Sequence, residues 1–112
     1  MKKLTVIMPV YNGELYIEEA INSLLNQTFS DFDLIVLNDN SADNTVAIIE
    51  KLKANDDRII LINKTINEGP AHLRNEGIDL VQTEYIALLD ADDIAMPTRF
   101  EKQIQLLDLP PF

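Results

Sequence analysis

Three carboxylates fall within four residues at Asp90-Ala91-Asp92-Asp93. At neutral pH they repel one another unless water screens them or a cation is shared among them. Hard divalent ions such as Mg²⁺ and Mn²⁺ take oxygen ligands, commonly one or two carboxylates together with the phosphates of a substrate. The run is therefore either the protein's end of a metal-held phosphate site or a solvated acidic turn. Three more residues bear on the same chemistry. Asp39 can accept N–H bonds from a nucleobase edge or cap the helix that follows it. The ring of Tyr11 can stack on a base or cover the edge of a core. The guanidinium of Arg74 can meet a phosphate or a base oxygen, or pair on the surface with Glu76 or Asp79. His72 is the single histidine of the chain and is given no role.

The elements that must position these residues are legible as alternating patterns. Residues 3–10 are apolar and β-branched with a turn at Asn12-Gly13, which predicts a buried strand. Ile17, Ala20, Ile21, Leu24 and Leu25 repeat at helical spacing and predict an amphipathic helix over about residues 14–26. A second strand is predicted at Phe32–Leu37. A helix capped by Ser41 or Asn40 follows, with Thr45, Ile48, Ile49 and Leu52 on its inner face. Arg58–Ile62 reads as a third strand. Pro70 opens a short helix that Gly77 is expected to close after about two turns. Glu84–Leu89 is a fourth strand, and Pro97 opens a last helix with Phe100, Ile104 and Leu107 on one face. Continuous apolar strands alternating with helices predict a parallel sheet covered on both faces, a Rossmann-like α/β architecture. In such sheets ligands bind beyond the carboxyl ends of the strands, where Tyr11, Asp39 and Asp90–Asp93 all fall.

Bulk properties exclude several functions. The 112 residues suffice for one small domain, 1–112, and 46 % apolar residues supply a core. Nineteen acidic against nine basic residues give a net charge of −10, which repels nucleic acid. An anionic nucleotide would need a cation or backbone N–H groups to offset the carboxylates. The absence of cysteine excludes disulfides and thiolate chemistry and fits a cytoplasmic setting. No apolar run reaches the length of a spanning helix. The Gly-x-Gly-x-x-Gly, P-loop and Gly-x-Ser-x-Gly patterns are missing. A nucleotidyltransferase would carry a glycine- and lysine-rich loop where this chain has Tyr11-Asn12-Gly13-Glu14.

Taken in order, Val6-Ile7-Met8-Pro9-Val10-Tyr11-Asn12, Leu37-Asn38-Asp39-Asn40-Ser41-Ala42-Asp43-Asn44-Thr45, Asn67-Glu68-Gly69, Ala71-His72-Leu73-Arg74-Asn75-Glu76-Gly77 and Leu88-Leu89-Asp90-Ala91-Asp92-Asp93 resemble the family 2 glycosyltransferases. The resemblance covers residues 4 to about 107. It implies the A-type glycosyltransferase fold, a nucleotide-diphosphate sugar donor (usually a uridine diphosphate sugar) and a divalent metal, Mn²⁺ or Mg²⁺. By position it places Pro9 and Tyr11 beside the base, Asp39 on the base edge, Arg74 on the nucleotide side and Asp90 at the ribose. Asp92 would ligate the metal, with Asp93 a second ligand. It further implies inverting transfer to a glycan or lipid-linked acceptor in polysaccharide or cell-envelope glycan synthesis. The setting would be cytoplasmic, peripheral to the inner face of the membrane in the full-length protein. The family usually has glycine where this chain has Asn40. Family members also carry a second half with the acceptor site and a carboxylate base. The chain is accordingly expected to be a donor-binding portion truncated on its C-terminal side, with the base downstream of Phe112 and exposed apolar surface that favours self-association. The alternative expectation is a catalytically incomplete donor-binding or assembly module.

Overall fold

The computed structural model describes residues 2–110. Four strands and four helices alternate: β1 (Leu4–Val10), α1 (Ile17–Leu25), β2 (Phe32–Asn38), α2 (Thr45–Lys53), β3 (Ile59–Asn63), α3 (Pro70–Leu80), β4 (Tyr85–Leu88) and α4 (Arg99–Leu107). The sheet is wholly parallel in the order β3-β2-β1-β4. β1 is central and buried at all seven positions, in keeping with a sequence that is apolar except at Thr5. Leu4 to Val10 pair with Phe32 to Asn38 on one side, and Leu4 to Ile7 with Tyr85 to Leu88 on the other.

Connection handedness explains where the helices lie. The chain steps from β1 to β2 to β3 in one direction, then doubles back across the sheet to β4. Right-handed crossovers place helices from opposite directions of travel on opposite faces. Thus α1, α2 and α4 pack on one face with Leu4, Val6, Met8, Leu34 and Val36. On the other face Leu73 of α3 packs on Ile7, Ile35 and Leu37. The reversal leaves a switch point between β1 and β4, the place where such sheets open a crevice at their carboxyl ends.

The larger core is closed by Phe32 and Phe100, both fully buried, with ring centroids 5.4 Å apart in an edge-to-face arrangement. Each such ring contributes roughly 1.5–3 kcal/mol by leaving water. The buried side chain of Gln27, just past α1, ties in the start of α4: its amide nitrogen Nε2 donates to the Met96 carbonyl at 2.6 Å, and its Oε1 accepts from Phe100 N–H at 3.1 Å. At the far end Tyr85 donates to Asp108, which also pairs with Lys3. That bond to Asp108 pushes the Tyr85 hydroxyl up to about 12.

The structure corrects the sequence reading in three places. α1 begins at Ile17 rather than at residue 14, because residues 14–16 form a turn in which Tyr16 and Ile17 N–H both donate to the Gly13 carbonyl. α3 does not stop at Gly77 but runs on to Leu80. Gly77 is buried against the sheet, and a Cβ there would lie 2.7 Å from Ile7 Cγ2, so the glycine serves close helix–strand approach and not a helix end. Coverage of the second face is also partial, since Ile86 and Leu88 of β4 remain 43 % and 45 % exposed.

Gly77→Ala separates two opposing effects. Alanine is intrinsically better in a helix by about 1 kcal/mol. Overpacking against β1 costs roughly 1–3 kcal/mol. The packing cost is expected to win, lowering the urea midpoint at unchanged slope. A raised midpoint would mean that α3 is not pressed on β1.

Candidate nucleotide and metal site

The carboxyl ends of β1 and β2 are laced together by their loops. Asn12 adopts a left-handed backbone with φ of 49°, and Asn40 does so at 59°. Asparagine tolerates this region better than most residues, so the turn at Asn40 forms without glycine. Asn12 N–H donates to Ser41 Oγ at 2.9 Å, and its Oδ1 accepts from Ala42 N–H at 2.9 Å. Gly13 N–H donates to the buried hydroxyl of Thr45 at 2.8 Å. Ser41 therefore does not cap α2, as its position in the sequence suggested. Its hydroxyl is spent on the neighbouring loop, and Asp43 Oδ1 accepts from Thr45 N–H at 2.9 Å in its place. Burial raises the Asp43 carboxyl, but the Thr45 hydroxyl and the N–H groups of Thr45 and Glu14 outweigh it and hold the group below the usual carboxylate range.

Asp39 follows directly on β2 and is 3 % exposed. Its own N–H donates to the Val10 carbonyl at 2.8 Å, which extends the pairing with β1. Its carboxylate reaches the other way: Oδ1 accepts from Glu68 N–H at 2.7 Å and Oδ2 from Gly69 N–H at 3.0 Å. Gly69, with φ of 88°, supplies the left-handed turn that aims both N–H groups back at β2. Asp39 thus fastens the start of α3 to the sheet. Each carboxylate oxygen has a second lone pair left over for a ligand.

The acids after β4 sit on a tight turn in which Asp93 N–H donates to the Asp90 carbonyl at 3.1 Å. Ala91 and Ala95 are buried in the core and hold this loop down, leaving Asp90, Asp92 and Asp93 at the surface. The loop is pinned again where Ala95 N–H meets Ser23 Oγ at 3.1 Å and Gln27 holds Met96. One carboxylate oxygen from each of the three acids lies within 4.8 Å of the others. This all-oxygen, solvent-open set fits a hard divalent ion that keeps part of its water. A second group, Glu68, His72 and Glu76, is equally close, with Glu76 engaged by Lys64 and the buried Glu68 Oε2 left without a hydrogen-bond partner. His72 Nε2 lies 2.7 Å from Glu68 Oε2, and Glu76 lies 2.7 Å from Lys64.

Between these parts lies a cleft of about 170 Å³. That is several times the roughly 30 Å³ share of a water in the liquid, so it accommodates an organic ring. Its walls include Pro9, Tyr11 and Asp39 at one end and Asp90 and Asp92 at the other. Five of the residues singled out from the sequence therefore meet in one place. Arg74 and Asp93 do not line the cleft. Arg74 pairs with Asp90, Nη2 to Oδ1 at 2.7 Å, and not with Glu76 or Asp79. Sequence reasoning missed Tyr16, Pro70 and Leu73, which also line the cleft. Pro70 was read only as a helix start, and Leu73 only as part of the motif around Arg74. Their place in the first turn of the helix that crosses back over the sheet was the available signal.

A doubly wound parallel sheet with a cleft at its switch point and carboxylates after its fourth strand defines an α/β domain of the A-type glycosyltransferase fold. The chain belongs to Glycosyl transferase family 2, whose sequence profile matches residues 5–112. It is 38 % identical over 107 residues to an uncharacterized glycosyltransferase of Haemophilus influenzae, covering 96 % of this chain and 43 % of that protein. It is 40 % identical over 94 residues to the GalNAc(5)-diNAcBac-PP-undecaprenol beta-1,3-glucosyltransferase of Campylobacter jejuni, covering 83 % and 30 %. Among solved structures, S. aureus TarS 1-349 in complex with UDP-GlcNAc superposes with a TM-score of 0.88 at 32 % identity, over 96 % of this chain and 31 % of that one. The chain thus spans less than half the length of each of these relatives.

The loop clasp has a pH signature. A carboxyl held below its ordinary value contributes stability that is present above the unfolded value near 4 and is lost as pH falls through the lower folded value. Asp43→Ala is expected to cost about 1 kcal/mol at neutral pH, as for loss of a helix-capping side chain. In urea titrations the gap between wild type and variant should stay constant above about pH 5 and close below about pH 4. A gap that widens on acidification would contradict the assigned bonds.

Proposed function

We propose that the cleft binds a nucleotide-diphosphate sugar, most simply a uridine diphosphate sugar, as the donor for an inverting, metal-dependent glycosyl transfer. The observation that carries this is the single cleft running from Tyr11, Pro9 and Asp39 to Asp90 and Asp92. The apolar end takes the base, with the ring of Tyr11 as a stacking surface and the free lone pairs of the Asp39 carboxylate facing its N–H edge. Asp90, which shares the other end with Asp92, faces the ribose. Asp92 and Asp93 would hold a divalent ion, which would supply positive charge to offset that of the departing diphosphate. The UDP-GlcNAc bound by TarS supports the choice of donor class.

In the transfer an acceptor hydroxyl oxygen bonds to the anomeric carbon from the face opposite the diphosphate. The carbon–oxygen bond to the diphosphate breaks, and the nucleotide leaves with the electron pair. The acceptor proton goes to a base, which we assign to the portion of the longer relatives that this chain does not span. The acceptor is proposed to be a glycan or a lipid-linked saccharide at the cytoplasmic face of a membrane. The undecaprenol-linked substrate in the name of the Campylobacter jejuni relative supports that class. Peripheral attachment is part of this proposal; no described helix is long and apolar enough to cross a membrane. A second reading is a donor-binding or assembly module without transfer of its own. Sugar transfer by the purified chain would eliminate that reading.

Calorimetry tests the donor site. Uridine diphosphate with Mn²⁺ should bind, and Asp92→Ala should weaken binding at least about tenfold through loss of a charged ligand. Metal-independent binding, or none, would refute the metal-held nucleotide. A second expectation concerns self-association. β4 has a strand on one side only, and Ile86, Leu88, Leu106 and Leu107 stand exposed along that open edge. An unpaired apolar edge of this kind pairs readily with another chain. Light scattering at high concentration should give a mass above 12.7 kDa. A monodisperse monomer would contradict it.

A further inference from the structure

Arg74 stands in an unexpected relation to the cleft. Its guanidinium is within 2.7 Å of Asp90 Oδ1, yet Arg74 itself is not among the residues that line the cavity, whereas Asp90 is. Arg74 projects from α3, which Asp39 fixes to the sheet by accepting the N–H groups of Glu68 and Gly69. Asp90 leads into the turn after β4, which the core fixes through Ala91. The ion pair therefore joins two independently anchored elements. Among the described residues, Arg74 is also the one basic side chain that pairs with any of the three clustered acids. Three like charges in a short turn resist sharing one geometry, and a guanidinium on one of them removes part of that repulsion while fixing its direction.

We infer that Arg74 is a positioning residue that acts on the nucleotide through Asp90, holding that carboxylate against the cleft wall and leaving Asp92 and Asp93 for the cation. This rests on the reading of the cleft as a nucleotide site. It differs from a direct contact between Arg74 and the nucleotide, which would need the guanidinium on the cleft surface. It also assigns different tasks to neighbouring acids of identical type. Asp90 is neutralised by the protein, and Asp92 and Asp93 are neutralised by the bound ion.

A double-mutant cycle on binding of uridine diphosphate with Mn²⁺ decides the matter. Arg74→Ala and Asp90→Ala should each weaken binding about tenfold, the loss typical of one charged hydrogen bond. The double variant should bind no worse than the weaker single one, because both changes remove the same contact. Arg74→Lys, which keeps the charge, should recover at least about threefold of the loss, and only while Asp90 is present. A surface pair of this kind contributes under about 1 kcal/mol to stability, so the variants should melt within a few degrees of wild type. Asp90→Asn, which keeps the side-chain shape, replaces Asp90→Ala if the alanine variant melts lower. A double variant weakened about a hundredfold, the product of the single losses, would show that Arg74 touches the nucleotide itself and would overturn the inference. Wild-type protein that binds neither uridine nor guanosine diphosphate would instead fail the reading of the cleft, and the inference with it.

Discussion

The full burial of β1 is the constraint on which the other elements depend. A central strand has no solvent on either face or along either edge, so every position must be matched by a neighbour. β2 and β4 satisfy its backbone, α1 and α4 cover one face, and α3 covers the other. Because Ile7 and Gly77 sit in direct apposition, α3 lies close enough for its first turn to overhang the carboxyl end of the sheet. The cleft is thus a by-product of packing: it is the space left where helices approach β1 from opposite faces.

Asp39 is the residue in which fold and site cannot be separated. A carboxylate buried at a strand end is costly unless its oxygens are bonded. Two backbone N–H groups meet that need and, in doing so, set the position of α3. The excess of acidic groups is tolerated by the same logic of local satisfaction. Asp43 is held by Thr45, Asp56 by Arg58 and Asp90 by Arg74. Asp92 and Asp93 form no ion pair among the described residues, which leaves them as the pair with charge to offer.

Much of this was legible in the sequence because apolar strands and apolar helix stripes are one-dimensional patterns. All eight elements were read with the correct type, and the strand ends pointed to Tyr11, Asp39 and the acidic turn. What escaped depended on contacts between distant segments. Gly77 looks like a helix end in isolation, and only the proximity of Ile7 shows that it serves packing. Ser41 looks like a cap until Asn12 claims its hydroxyl. The partner of Arg74 was sought two or five residues away, at Glu76 or Asp79, whereas the fold supplies Asp90 from the end of another strand. Tyr16 was invisible as a site residue because nothing in a helical repeat marks which turn borders a crevice.

The carboxamide of Gln27 has a consequence of its own. Through Met96 and Phe100 it locks the segment after the acidic turn to the end of α1, while Ser23 holds Ala95 one turn earlier. The turn is preorganised before anything occupies it, so little conformational entropy remains to be lost on binding. For the cation proposed at Asp92 and Asp93, a rigid seat of this kind would discriminate by ionic radius. Its selectivity among cations would be set by the architecture of α1, well away from the carboxylates that make the contact.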